Sequence, residues 1–341
     1  MIHKPVLTGR VSEELAELLK AYPPFRSRQI HKWICGGAET FDEMSNLPAS
    51  LRKELAEKYS LFHGEVSSQL RDTDGTVKLG ITLEDGAVIE AVILSDGEGR
   101  KTACLSTQAG CPAACVFCKT GTLGFKRNLS AAEIAGQFLH LKRMEPAVSH
   151  IVIMGMGEPL LNLGELRKAL FFFMESGGLA VSKRRITLST CGIEKGILEF
   201  AGQGPDIRLA LSLTTARQEL RDRLMPTSRE NPLPKIKKAL RAYQEKSARR
   251  ITLEIVLLGG INTGTADAQA VAGFSAGLDA VINLIPWNPV EGLEFEGRPL
   301  RPPTPRETAD FTAALESRAL NVTRRFRKGS SISGACGQLG T

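Results

Sequence analysis

Three cysteines within eight residues, Cys111-Pro112-Ala113-Ala114-Cys115-Val116-Phe117-Cys118, constrain this chain more than any other stretch. Thiols spaced by three and then two residues point to a soft metal or an iron–sulfur cluster rather than to disulfides. A closed zinc site would need a fourth ligand from Cys or His, and no His follows within twenty residues. Three thiolates on a [4Fe-4S] cluster would leave one iron open to another ligand. Structural zinc and three incidental thiols stay open as alternatives at this point.

The whole chain carries seven cysteines, an odd number that argues against a secreted disulfide framework. Its net charge of +7 suits an anionic partner such as nucleic acid, without requiring one. No apolar run approaches the ~20 residues of a membrane span, and the polar start lacks a signal-peptide core. The expectation is a soluble cytoplasmic protein with no membrane partner.

Apolar spacing predicts amphipathic helices over 11–22, 25–35 and 47–59, with Gly36-Gly37 as a stop between the second and third. Arg26, Arg28, His31, Lys32 and Lys53 make this small unit basic, which suits a solvated face as well as RNA. His31 and Cys35 stand at i, i+4, a pairing that packing explains better than a ligand. Alternation then predicts three strands over 64–70, 76–83 and 87–94, turned at Asp74-Gly75 and Asp85-Gly86. Glu90 falls in the third strand, where a carboxylate usually faces solvent.

Beyond residue 99, strand patterns at 102–106, 150–154, 185–189, 207–213, 251–257, 280–285 and 321–326 alternate with helical ones. Ser130 with Glu133, and Thr304 with Glu307, have the spacing of helix N-terminal capping boxes. The pattern predicts an α/β fold with a parallel sheet, open or closed into a barrel. In such folds chemistry collects at the carboxyl ends of the strands. Those ends are polar or glycine-rich throughout: Gly110-Cys111, Gly157-Glu158-Pro159, Ser189-Thr190-Cys191, Ser212-Leu213-Thr214, Gly259-Gly260, Trp287-Asn288-Pro289 and Ala335-Cys336-Gly337. One composite site is the simplest reading. Met154–Pro159 lacks the GxGxxG spacing of a dinucleotide loop. A Gly-Glu pair leaving a strand instead suits a clamp on an ammonium group.

The CxxxCxxC trio resembles the signature of the radical S-adenosylmethionine (SAM) superfamily. Several further motifs narrow the resemblance to the RlmN/Cfr family of RNA adenosine methyltransferases. They are Arg26-Ser27-Arg28-Gln29-Ile30-His31-Lys32-Trp33-Ile34, Phe41-Asp42-Glu43-Met44-Ser45-Asn46-Leu47, Gly157-Glu158-Pro159-Leu160-Leu161-Asn162, Ser182-Lys183-Arg184-Arg185, Asn283-Leu284-Ile285-Pro286-Trp287-Asn288-Pro289 and Ala335-Cys336-Gly337-Gln338-Leu339. The resemblance implies a partial (β/α)6-type radical SAM barrel over 97–341, a helical RNA-binding accessory domain over 1–60 and a short β extension over 61–96. It implies methylation of carbon 2 of an adenosine in 23S ribosomal RNA, and in some members of transfer RNA, with carbon 8 as the close variant.

The resemblance also assigns roles. Cys111, Cys115 and Cys118 would hold a [4Fe-4S] cluster. Gly157, Glu158, Ser189, Ser212, Leu213, Thr214 and Asn288 would contact SAM. Cys336 would carry a methyl group from one SAM, and a radical derived from a second would activate it. Glu90 would accept a proton, and Cys104 would attack Cys336 to release product through a transient disulfide. A flavodoxin- or ferredoxin-type electron donor and a monomeric state complete the expectation. The chain departs from the family in having Thr214 where His is usual, Ser331 and Ser333 where acidic residues are usual, and no basic tail after Leu339. Basic clusters at Lys183–Arg185, at Lys235, Lys237, Lys238 and Arg241, and at Arg324, Arg325, Arg327 and Lys328 suit an RNA substrate, the last foremost because it adjoins Cys336.

Overall fold

The computed structural model describes residues 4–61, 63–324 and 328–340. Ten strands form its main sheet and lie side by side in chain order. They are β1 (Glu65–Arg71), β2 (Val77–Thr82), β3 (Val88–Ser95), β4 (Lys101–Cys104), β5 (Val148–Ile153), β6 (Ile186–Thr190), β7 (Arg208–Ser212), β8 (Ile251–Leu257), β9 (Ala280–Pro286) and β10 (Val322–Arg324). β1 to β4 pair antiparallel, as tight Asp-Gly turns require. β4 to β10 pair parallel. Each parallel step needs a crossover, and helices supply most of them. Because β1 and β10 are the two ends of the order, the sheet is an open, partial barrel extended by a meander. Phe326, Arg325 and Arg327 of the sequence reading lie outside the described residues.

Alternation along the strands separates the two faces. Leu209 and Leu211 of β7, and Ile251, Leu253 and Ile255 of β8, are fully buried in the apolar core. Their neighbours Arg208, Ala210, Ser212, Thr252, Glu254 and Val256 line cavities on the other face. One wall of the site is therefore built by the residues that alternate with the core.

At the N-terminus, α1 (Ser12–Leu18), α2 (Pro24–Cys35) and α3 (Ala49–Lys58) match the three helical patterns. α1 ends at Leu18, earlier than predicted, and Pro23-Pro24 opens the next helix. α3 starts later because Pro48 disfavours helix at Leu47. Their apolar faces join the main core through Leu15, Ile30, Ile34 and Leu55. Glu175, past helix Leu163–Met174, ties this unit down. It accepts from Ser12 N at 2.8 Å and pairs with His31 Nε2 at 2.9 Å. His31 is thus an internal tether, and burial pushes the adjacent Cys35 thiol up to about 12. Both predicted capping boxes form, at Ser130 and at Thr304. Among the described residues no helix is long and apolar enough to cross a membrane.

Candidate active site

The cysteine loop leaves the short strand Gln108–Gly110, which pairs with Phe125–Asn128. Cys111 N donates to Gly124 O at 2.9 Å, and Cys118 N to Cys115 O at 3.2 Å. Ala114 takes a left-handed conformation, φ 50°, so that the chain can double back. A Cβ on Gly121 would lie 2.6 Å from Cys115 O, so glycine lets the turn Lys119–Thr122 close over the loop. From the opposite side, the buried Trp287 donates its indole N–H to Phe117 O at 2.8 Å.

Cys111, Cys115 and Cys118 line one cavity of about 140 Å³ together with Gly157, Glu158, Ser189, Ser212, Asn288 and Cys336. Burial pushes the Cys111 thiol up to about 12 and raises Cys115 and Cys118 as well. Such thiols become ligands when a metal replaces the proton. A tetrahedral zinc would hold its thiolates about 3.8 Å apart. Among the described residues, no three potential ligands converge closely enough to hold a single ion. Three thiols around one cavity are the soft donor set that an iron–sulfur cluster takes.

Gly157 has φ 104°, and a Cβ there would meet Gln108 N at 2.8 Å. That close approach lets Gln108 Oε1 accept from Glu158 N at 2.8 Å. The buried Glu158 carboxylate accepts from Thr190 Oγ1 and Cys191 N, each at 2.7 Å, and from Leu160 N at 3.0 Å. Burial still raises its pKa. Ser189 Oγ donates to Glu254 Oε2 at 3.1 Å. Asn288 donates to Cys336 O at 2.9 Å, while its buried Oδ1 has no hydrogen-bond partner among the described residues. An orphaned acceptor on this cavity wall suits a ligand rich in N–H and O–H groups, as SAM is. Leu213 and Thr214 are buried and do not line the cavity. Thr214 is left-handed, φ 57°, and holds Glu254 O through its own N–H at 3.0 Å.

The C-terminal segment is fastened at several points. Gly329 N and Ser331 N donate to Asp74 and Asp72 of the β1–β2 turn, at 2.9 and 3.2 Å. Gln338 donates to Pro289 O, Thr120 to Leu339 O, and Lys119 N to Gly337 O. These contacts present Cys336 to the cavity. Glu90 is buried rather than on the solvent face, in an ion pair with the equally buried Lys78 at 2.9 Å. Its other oxygen accepts from Gly340 N at 2.7 Å, so Glu90 helps to seat the Cys336 segment. Cys104 ends β4, buried, in register with Val152 of β5. Among the described residues no cysteine is in a disulfide. The transient Cys104–Cys336 disulfide that the resemblance implies is not formed in this structure, where Cys104 ends a core strand and Cys336 stands in an exposed loop.

Three contributors escaped the sequence reading. Glu254 faces both cavities from mid-strand. Arg221, fully buried, hydrogen-bonds the carbonyls of Leu213 and Cys191 and so joins two strand tips. Arg208 opens β7 toward the lumen. Arg221 sits in an ordinary charged helix pattern, which gives no signal of burial. Glu254 and Arg208 are legible only once the inward register of their strands is known.

Two family models match the chain. They are the Radical SAM superfamily over residues 105–268 and the Ribosomal RNA large subunit methyltransferase N-terminal domain over residues 11–61. A probable dual-specificity RNA methyltransferase RlmN of Treponema denticola is 50% identical over 99% of this chain and 96% of its own length. A dual-specificity RNA methyltransferase RlmN of Nitratidesulfovibrio vulgaris is 40% identical over 96% of this chain and 92% of its own. The crystal structure of a radical SAM methyltransferase from Sphaerobacter thermophilus superposes with a TM-score of 0.93 at 34% identity, covering 98% of this chain and 99% of that one. With its cysteine cavity, its Cys336 segment and this likeness over nearly its whole length, the chain belongs to the RlmN family of radical SAM RNA methyltransferases.

Proposed function

We propose that this chain methylates carbon 2 of an adenosine in 23S ribosomal RNA, and of one in transfer RNA, through a methyl group carried on Cys336. One observation carries the reading. Cys336 lines the cysteine cavity and also a second, larger cavity that opens away from it. A methyl carrier must meet the donor on one side and the RNA base on the other. The description of the relatives as dual-specificity RNA methyltransferases supports two RNA classes, and ribosomal RNA as substrate implies a cytoplasmic location.

Carbon 2 of adenine is electrophilic and cannot attack an ordinary SAM methyl group. Cys336 can, because its exposed sulfur is a nucleophile once deprotonated. Cys111, Cys115 and Cys118 would hold a [4Fe-4S] cluster which, with SAM and an electron from a flavodoxin- or ferredoxin-type donor, supplies the radical chemistry that activates the methyl group. Gly157, Glu158, Ser189, Ser212 and Asn288 would orient SAM, with Leu213 and Thr214 supporting that wall from behind. Glu90 would take the proton from carbon 2, and Cys104 would supply the second thiol needed for release.

The test is peptide mass spectrometry after incubation with SAM in the absence of RNA. One methyl group on Cys336 is expected, and none in Cys336→Ala, which should retain its iron. A Cys336→Ala protein that still methylates RNA would overturn the proposal.

A further inference from the structure

The larger cavity, about 760 Å³, runs from Cys336 to the amino-terminal ends of the core strands. Its wall is layered by the two-residue period of the sheet. On β7, Ser212 belongs to the cysteine cavity and Ala210 to the larger one, with Arg208 below at the mouth. Four residues of strand separate Arg208 from Ser212, a span of about 13 Å. That span and the cavity volume leave room for a flipped nucleotide between the mouth and the cysteines.

The mouth is strongly cationic. Arg100, Arg185 and Arg208 line it, while Arg324 and Lys328 line the same cavity farther up, on the segment that leads to Cys336. Two carboxylates line the same cavity, and both are engaged. Asp96 pairs with Arg100 at 2.9 Å, and Glu254, a layer deeper, accepts from Ser189. Among the described residues no carboxylate pairs with Arg185 or Arg208. His150 lines the same cavity: burial lowers its pKa, the charges of Arg100, Arg185 and Arg208 lower it further, and Asp96 opposes them. Guanidinium groups gathered without counter-charges repel one another and are suited to phosphate. The other basic clusters differ. Lys183 is paired with Asp206, and Lys237 packs over Phe274 on the outer helix layer.

From this placement we infer that Arg185 and Arg208, with Arg100 beside them, form a phosphate-binding ring at the amino-terminal mouth of the barrel, gripping the RNA backbone beside the target adenosine while its base reaches up to Cys336. The inference rests on the RNA reading above and adds where the strand enters and which residues hold it. RNA bases are commonly read after being splayed out of a loop. A backbone clamp at the mouth would fix the depth to which the base descends.

The test uses cluster-loaded protein and a synthetic hairpin RNA with one unpaired loop adenosine, bound over a range of salt concentrations. Wild type is compared with Arg185→Gln/Arg208→Gln and with Arg185→Lys/Arg208→Lys. All three ring arginines are exposed, so these variants should fold, which melting curves and cluster absorbance will check. Loss of two phosphate contacts should weaken binding and lower the slope of log K against log salt by about 1.4. The Lys variant should keep the wild-type slope. A neutral methylphosphonate beside the adenosine should weaken wild type as the Gln variant does, with no further loss when the two are combined. An unchanged slope in the Gln variant, with wild type still methylating RNA, would overturn the ring and leave the functional reading standing. Competition by AMP as effective as by RNA would assign the ring to a free nucleotide and overturn the backbone clamp. A wild-type protein that neither binds nor methylates RNA would overturn both.

Discussion

Replacing Glu90 by Gln isolates a charge that this fold has to bury. Glu90 and Lys78 face each other across paired strands β2 and β3, with side chains 3% and 4% exposed. The substitution keeps the shape and a hydrogen-bond acceptor for Gly340 N, but leaves the Lys78 ammonium in apolar surroundings without its counter-charge. Removing one partner of a buried pair costs about 3–5 kcal/mol, mostly as the desolvation left uncompensated. Lys78→Met should cost a similar amount by stranding Glu90. The double variant removes both charges and should cost much less than the sum, giving a coupling of a few kcal/mol. Urea unfolding of cluster-loaded protein, followed by tryptophan fluorescence, measures all four corners. The double variant should recover stability but not methylation, if Glu90 also takes the substrate proton. A Glu90→Gln protein within about 1 kcal/mol of wild type, or a strictly additive double variant, would refute the buried-pair reasoning.

Four further outcomes follow from the geometry. Trp287→Phe keeps the packing but strands the buried Phe117 carbonyl, costing about 1–3 kcal/mol; it should also lower the iron bound per chain after reconstitution, and wild-type iron content would contradict the link between Trp287 and the cysteine loop. His63 is buried against His140, and burial first, then that neighbour, lowers its pKa to about 4. The unfolded chain then takes up a proton that the folded chain refuses, so stability falls as pH drops from about 6.5 to 4, by roughly 3 kcal/mol in total; His63→Leu should flatten that part of the profile, and an equally steep profile would contradict the assignment. Cys104→Ala should retain the cluster and accept a methyl group on Cys336, yet accumulate RNA bound covalently to Cys336; free methylated RNA at the wild-type rate would show that Cys104 is not needed for release. Asp74→Ala removes the contact to Gly329 N, and should slow methyl transfer from Cys336 while leaving SAM cleavage intact; unchanged transfer would mean that this clasp does not place the Cys336 segment.

The period of the sequence made the barrel legible. Each core strand lies within about two residues of its alternating pattern at nearly every end, because a strand that packs a helix layer on one face must alternate. The cavity set was legible too, since strand tips carry Cys111, Glu158, Ser189, Ser212 and Asn288 onto one rim. What could not be read was the partner of each buried charge. Glu90 looks solvent-facing in its strand because the lysine that compensates it, Lys78, is contributed by a different strand. Arg221 resembles any charged helical residue, and only the fold shows that it bridges two loops. Leu213 and Thr214 are adjacent to a cavity residue in sequence, yet the backbone turns them into the core. The mouth arginines come from separate segments whose charges add only after the sheet forms.

The most direct test of the account is the product itself. Protein reconstituted with iron and sulfide under anaerobic conditions is incubated with SAM, a reductant and unmodified ribosomal and transfer RNA, and the digested nucleosides are identified by mass spectrometry against standards. The account predicts 2-methyladenosine from both RNA classes, and none from Cys336→Ala. Formation of 8-methyladenosine would contradict the position of attack, and SAM cleavage without any methylated adenosine would contradict the proposed function as a whole.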